Sequence, residues 1–257
     1  MFASREFVSP EGLRLDGRRV NELRRLRVRS GPLTDADGSS YLELGNTRVL
    51  VAVYGPREVS SAKAARQTTQ SSDRATVCCQ FSMATFSGGE RRRKIKGDRR
   101  TMSHASALEK AFSSTIAIDK IPPRSQIDIF VEVLQSDGGM LVACINATTL
   151  ALIDAGIEIR DYLCASSSAL LNDITVIDPN QNEEQSFGGS PTATVAVLPV
   201  TGGVVYLDVD TRLHIDRLEE LVNQATTGAL TIHTLLEKVV RDRTQSTVST
   251  TSAQQNA

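Results

Sequence analysis

Hydrophobic positions along this chain come mostly in short alternating runs, and three longer stripes have helical spacing. The first dozen residues (1–12) carry little pattern and read as a flexible arm. A basic segment over 13–29 follows. Asp35-Ala36-Asp37-Gly38 is a turn signal between alternating runs. Tyr41, Leu42 and Leu44 lead to Gly45-Asn46, and a β-branched run over 49–54 closes at Gly55-Pro56. Residues 60–74 are polar and read as a long exposed loop. Alternation returns over 76–86, and Ser87-Gly88-Gly89 opens a basic loop. The spacing predicts a helix over 103–118, with Ala107, Leu108, Ala111, Phe112, Thr115 and Ile116 on one stripe.

Beyond Pro122-Pro123 the logic repeats. A strand over 127–134 runs into a buried helix over 141–155, and two strands fall within 162–177. A hairpin over 192–198 and 204–209 turns at Gly202-Gly203, and an amphipathic helix spans 214–243. The tail over 244–257 is polar and of low complexity, so it is expected to be disordered. Strands preceding helices twice over predict an α+β domain over 13–243, built from two related β-rich lobes with packed helices.

Composition narrows the function classes. There is no run of 18 apolar residues and no apolar N-terminal stretch, so neither a membrane span nor a signal peptide is expected. The four cysteines form no C-x-x-C pair and read as free buried thiols of a reducing compartment. Cys78 and Cys79 are adjacent in a strand, point to opposite faces and cannot share a metal. His104, His214 and His233 have no ligand partner at metal spacing. Asn146-Ala147-Thr148 matches a glycosylation sequon inside a helix and reads as chance. No nucleotide-binding or nucleophile-elbow motif occurs, and no cofactor is expected.

Net charge is −1, but its distribution is uneven. Arg91, Arg92, Arg93, Lys94, Lys96, Arg99 and Arg100 crowd into ten residues, opposed by Glu90 and Asp98. Such a loop can hold a polyanion. Lys63 and Arg66 add charge on the other polar loop. Aromatic content of 4% without tryptophan argues against a base-stacking platform of the RRM type, so any nucleic-acid contact is expected through phosphates and mostly independent of sequence.

At Asp137-Gly138-Gly139 an alternating strand turns directly into a helix of small residues. Such a turn aims N–H groups at an anion and leaves room for phosphate. Met140 and Leu141 follow, and neither carries charge.

This stretch resembles the RNase PH family, which cleaves RNA from its 3′ end with inorganic phosphate. Further phrases carry the likeness over most of the chain: Leu15-Asp16-Gly17-Arg18-Arg19, Asp37-Gly38-Ser39 with Gly45-Asn46-Thr47, Val53-Tyr54-Gly55-Pro56, Phe86-Ser87, Gly97-Asp98-Arg99, Pro123-Arg124-Ser125-Gln126-Ile127-Asp128 and Asp154-Ala155-Gly156-Ile157. Together they are most similar to the ring subunit of the eukaryotic RNA exosome that is related to the archaeal catalytic subunit. The resemblance implies an RNase PH-like fold of the ribosomal protein S5 domain 2 type. It also implies a hexameric ring of RNase PH-like subunits, S1/KH cap proteins, single-stranded RNA in the channel and a separate hydrolytic nuclease. Such a subunit would work in the nucleus, nucleolus and cytoplasm, away from membranes.

Active members of the family carry a phosphate-binding arginine after the glycines and two aspartates six residues apart. Here Leu141 holds the arginine's place, Thr192 or its neighbours fall where the second aspartate belongs, and no aspartate occurs between Pro179 and Val205. A non-catalytic ring subunit is therefore expected, with Arg99 and Arg100 matching the family's RNA-contacting pair. Lys63, Arg66, Arg91, Arg92, Arg93, Lys94 and Lys96 are further candidate RNA contacts. The alternative is an active phosphorolytic 3′-to-5′ exoribonuclease, with Glu183 or Glu184 as carboxylate and a partner subunit supplying the arginine. A third reading is an α+β protein without RNA function.

Overall fold

Two antiparallel-rich sheets sandwich one apolar helix. The computed structural model describes residues 7–58, 75–91, 98–171, 173–185 and 189–255. The first sheet holds β1 (Leu26–Ser30), β2 (Gly38–Leu44), β3 (Thr47–Glu58), β4 (Thr76–Met83) and β5 (Ser125–Gln135), in the order β1-β2-β3-β5-β4. The second holds β6 (Cys164–Leu171), β7 (Ile174–Ile177), β8 (Thr192–Val197) and β9 (Val204–Val209), in the order β7-β6-β8-β9. All pairings are antiparallel except β4 with β5. A parallel pair cannot be closed by a hairpin. Helix α1 (Arg99–Thr115) lies in the crossover between them, and β5 therefore belongs to the first sheet, not to the second half of the chain as the linear pattern suggested.

Helix α2 (Met140–Asp154) is buried at every position from 142 to 152. Its small residues allow this. A Cβ on Gly38 would meet the Ala151 carbonyl oxygen at 2.4 Å, so β2 and the helix approach at glycine distance. The sequon residue Asn146 is fully buried: its Nδ2 donates to the Ala165 carbonyl (3.0 Å) and its Oδ1 accepts from the Ala165 N–H (2.8 Å). The α+β arrangement of two β-rich lobes is thus present, fastened together by one helix.

Three expectations are corrected. The N-terminal arm is docked from residue 7, because Phe7 and Val8 bury against Ala169, Leu171 and Val176. The tail does not leave the fold at residue 244, since α4 (Ile215–Gln255) continues through it. Threonine and serine hydroxyls there bond back along the helix, as Thr244 does to the Val240 carbonyl (2.8 Å), and Arg243 pairs with Asp154 at 2.6 Å. Among the cysteines, Cys79, Cys144 and Cys164 are buried but Cys78 is exposed, on the opposite face of β4 from Cys79. Among the described residues no helix is long and apolar enough to cross a membrane. The short helix α3 (Gln181–Glu184) precedes β8 and faces the turn at residue 137.

Candidate functional site: a glycine turn filled from within

The turn between β5 and α2 is fixed on every side. The Asp137 N–H donates to Thr47 Oγ1 at 3.1 Å, and Thr47 Oγ1 donates to the Gly138 carbonyl at 2.8 Å. Gly138 has φ +78° and Gly139, the residue that caps α2, has φ +59°. A Cβ on Gly138 would stand 2.6 Å from the Pro179 carbonyl oxygen, so the turn and the 178–184 segment touch backbone to backbone.

An N–H aimed from such a turn does attract an anion, and the chain supplies its own. Gly139 N–H donates to Glu184 Oε1 at 2.8 Å. Burial pushes the Glu184 carboxyl above its ordinary value, and the nearby Asp178 and Asp137 charges add to this against the pull of the Gly139 N–H and Arg24. Met140 and Leu141 are half-buried and pack against the main core. Leu141 thus turns toward the interior.

Arg24 is the second occupant. Its Nε donates to Asp178 Oδ2 at 2.9 Å and its Nη2 to Asp178 Oδ1 at 2.6 Å. Nη1 reaches the Asp137 carbonyl at 2.5 Å and Nη2 the Gly138 carbonyl at 3.2 Å. Burial disfavours this guanidinium's charge, but Asp178, with Asp137 and Glu184, more than offsets it and raises the pKa.

Arg14 and Arg18 complete the cluster. Arg14 Nε donates to Glu183 Oε1 at 2.9 Å, its Nη2 closes a very short ion pair on Glu183 Oε2, and its Nη1 donates to the Ile177 carbonyl at 2.7 Å. Glu183 Oε2 also accepts the Asn180 N–H (2.7 Å) in a capping box that starts α3. Arg18 links Asp16 (Nε to Oδ2, 2.6 Å), the Asp178 carbonyl (3.0 Å) and Asn180 Oδ1 (3.2 Å). Glu183 is 2% exposed, with both carboxylate oxygens committed to these partners. It has no face to offer a substrate. Removing one partner of such a buried pair leaves an uncompensated charge at a cost of about 3–5 kcal/mol.

Glu183 and Glu184 stand out in the sequence, but the three arginines do not, because nothing local to Arg14, Arg18 or Arg24 marks them as buried. Thr192 opens β8, paired with Ala169 of β6, and supplies no charge.

The basic candidates divide. Lys63, Arg66, Arg92, Arg93, Lys94 and Lys96 lie outside the described residues. Arg91 is exposed. Arg99 and Arg100, expected on a loop, instead form the exposed first turn of α1, whose cap Asp98 accepts from the Arg100 N–H at 3.5 Å. Neither has a carboxylate partner among the described residues. Two cations at the positive end of a helix are unfavourable for the helix itself, so this placement concentrates positive potential at some local cost. One turn on, His104 packs on Phe81 with ring centroids 5.3 Å apart, and burial, with Arg100 nearby, lowers its pKa.

Comparison with known proteins agrees with this architecture. The 3′ exoribonuclease family, domain 1 (RNase PH), matches residues 22–158. The human exosome complex component RRP41 is 45% identical over 239 residues, covering 93% of this chain and 95% of that one. The exosome complex component Rrp41 of Thermoplasma volcanium is 40% identical over 205 residues, 80% of this chain and 79% of its own. The crystal structure of rice (Oryza sativa) Rrp46 superposes with a TM-score of 0.75 at 21% identity, covering 88% of this chain and 99% of the rice chain. A helix entered through a glycine turn and held between two sheets, matched by this family over more than half the chain and by relatives nearly end to end, leaves one assignment: the chain belongs to the RNase PH family of 3′ exoribonucleases.

Proposed function

We propose that this chain is a non-catalytic ring subunit of an RNA exosome, which supports 3′-to-5′ RNA processing and degradation by closing the ring and guiding RNA. The observation that carries this reading is the internal use of the phosphate cradle. Glu184 takes the Gly139 N–H, Arg24 fills the turn, and Leu141 packs inward where an arginine would be needed. Phosphorolysis needs positive charge to hold phosphate and carboxylates placed for the in-line displacement. Each missing group of this kind costs roughly 10²–10³ in rate, and two are missing.

In this reading the partners are other RNase PH-like subunits in a hexameric ring, S1/KH cap proteins above and a hydrolytic nuclease below. Single-stranded RNA passes along Arg99 and Arg100, with Arg91, Lys63, Arg66 and the 92–96 cations beside them. The protein would act in the nucleus, nucleolus and cytoplasm. The test is to assemble the ring without its nuclease and incubate it with 3′-labelled RNA, magnesium and phosphate. No nucleoside diphosphate above a no-protein control is expected, and steady release would overturn the reading.

One observation favours an active second reading. Glu184 is a carboxyl raised by burial and sits directly at the turn. If a partner subunit supplies the arginine, Glu184→Ala abolishes the diphosphate release that the same assay would then detect.

A further inference from the structure

Phe86 stands 70% exposed, yet its backbone is held firmly. Ser87 N–H donates to the Ala84 carbonyl (3.0 Å), Ala84 N–H to the Val133 carbonyl (2.9 Å), and Ser136 N–H to the Ser87 carbonyl (2.9 Å). The turn is thus clamped to the end of β5, one residue before the glycine turn begins. A lone exposed apolar side chain needs no explanation. This one forms a shared wall of two grooves. The larger, about 670 Å³, runs between the β2–β3 hairpin, the end of β5 and α3. The smaller, about 400 Å³, lies toward Arg91.

Their linings differ. Asn46, Arg48, Gln135, Gln181 and Asp137 line the larger groove with Phe86. These are mixed donors and acceptors, including a carboxylate that repels phosphate. Amide and guanidinium groups beside an aromatic face match the edges and π-surface of a nucleobase. In the smaller groove Phe86 meets Gly88, Gly89 and exposed Arg91 at the start of the basic loop, which suits a backbone phosphate.

We infer that Phe86 is a base-stacking residue: a single unpaired RNA base rests on its ring in the amide-lined groove while the adjoining phosphate faces Arg91. The inference rests on the RNA-guiding reading and deepens it. The chain has too few aromatics for a multi-base platform, and one ring on an ordered turn suffices for one base. Because the turn is already ordered, stacking costs little backbone entropy.

The experiment uses the assembled ring with the full-length chain, a single-stranded oligoadenylate and a matched oligomer with abasic positions. Phe86→Ala should weaken oligoadenylate binding by roughly 5- to 160-fold, the range of one base–aromatic stack. Phe86→Tyr should bind like the parent. The slope of log affinity against log salt should stay unchanged, because no phosphate contact is lost. Binding to the abasic oligomer should be equal for parent and Phe86→Ala. If the parent ring binds RNA and Phe86→Ala binds it equally, or the loss persists on abasic RNA, this inference falls while the RNA-guiding reading stands. If the parent ring binds no RNA, both fall. If Phe86→Ala instead releases a ring neighbour, the groove is a protein interface and the inference is overturned.

Discussion

Arg24 and Asp178 meet as two forks, Nε on Oδ2 at 2.9 Å and Nη2 on Oδ1 at 2.6 Å, with the Arg24 N–H also bonded to Oδ2 at 2.9 Å. The pair ties the N-terminal basic segment to the loop after β7 at the point where the glycine turn passes. Arg24→Ala or Asp178→Ala should each destabilise the chain by about 3–5 kcal/mol, because the surviving charge stays buried. Arg24→Met with Asp178→Leu should cost less than either single change. Denaturant unfolding of the purified chain reads all three.

Gly138→Ala should fail more severely than a helix-interior glycine would. Its φ of +78° is strained for alanine, at roughly 1–3 kcal/mol, and the new Cβ would press on the Pro179 carbonyl at 2.6 Å. Gly88, whose Cβ would meet only the Glu90 carbonyl at 3.9 Å, is the matched control and should tolerate alanine. Soluble yield and melting temperature of the two variants check this.

Glu184 makes a pH prediction whose sign is opposite to the usual carboxylate. Its folded pKa lies above the ordinary 4.5. The folded state therefore takes up a proton more readily than the unfolded one, and this group's unfavourable contribution sets in as pH rises from 4.5 through the folded value. Glu184→Gln keeps an oxygen for the Gly139 N–H and removes the charge. It should be more stable than the parent at pH 7, with the advantage vanishing near pH 4. Urea midpoints measured across that window decide; a constant difference would sink the idea.

Leu141→Arg should not restore phosphorolysis. The side chain at this position packs against the core, and Thr192 and its neighbours still lack the carboxylate, which leaves a deficit of roughly 10²–10³ in rate. Diphosphate release by the variant ring at a measurable steady rate would contradict a missing carboxylate in this segment.

Arg99→Glu with Arg100→Glu should weaken RNA binding alike for all sequences and make the salt slope shallower by about 1.4, two single-strand contacts of about 0.7 each. Both residues sit in the first turn of α1, where acids are favoured by about 0.3–1 kcal/mol each. The helix should therefore be no less stable, and thermal unfolding of the variant separates lost contacts from lost structure.

The strands and helices were legible because their apolar periods are clean: Val49, Val51 and Val53 are all buried, and Ile127, Ile129, Val131 and Val133 likewise. What alternation cannot encode is sheet order, so β5 was assigned to the wrong half. Hydroxyl-rich composition hid the end of α4, since side chains that solvate a loop can also bond back along a helix. At the site, the glycines and Leu141 could be read directly. The arginine cluster could not, because Arg14, Arg18 and Arg24 look like surface charge until the fold delivers their carboxylates.

That delivery has a temporal side. The partners of Arg24 and Arg14 lie 154 and 169 residues downstream. At about 5–20 residues per second of synthesis, the basic segment waits roughly 8 to 30 seconds for Asp178 and Glu183 to exist. Until then three arginines destined for the interior remain in water, and the first sheet lacks its seal. A nascent or truncated chain ending near residue 158 would hold the whole family-matched region and still be unable to close.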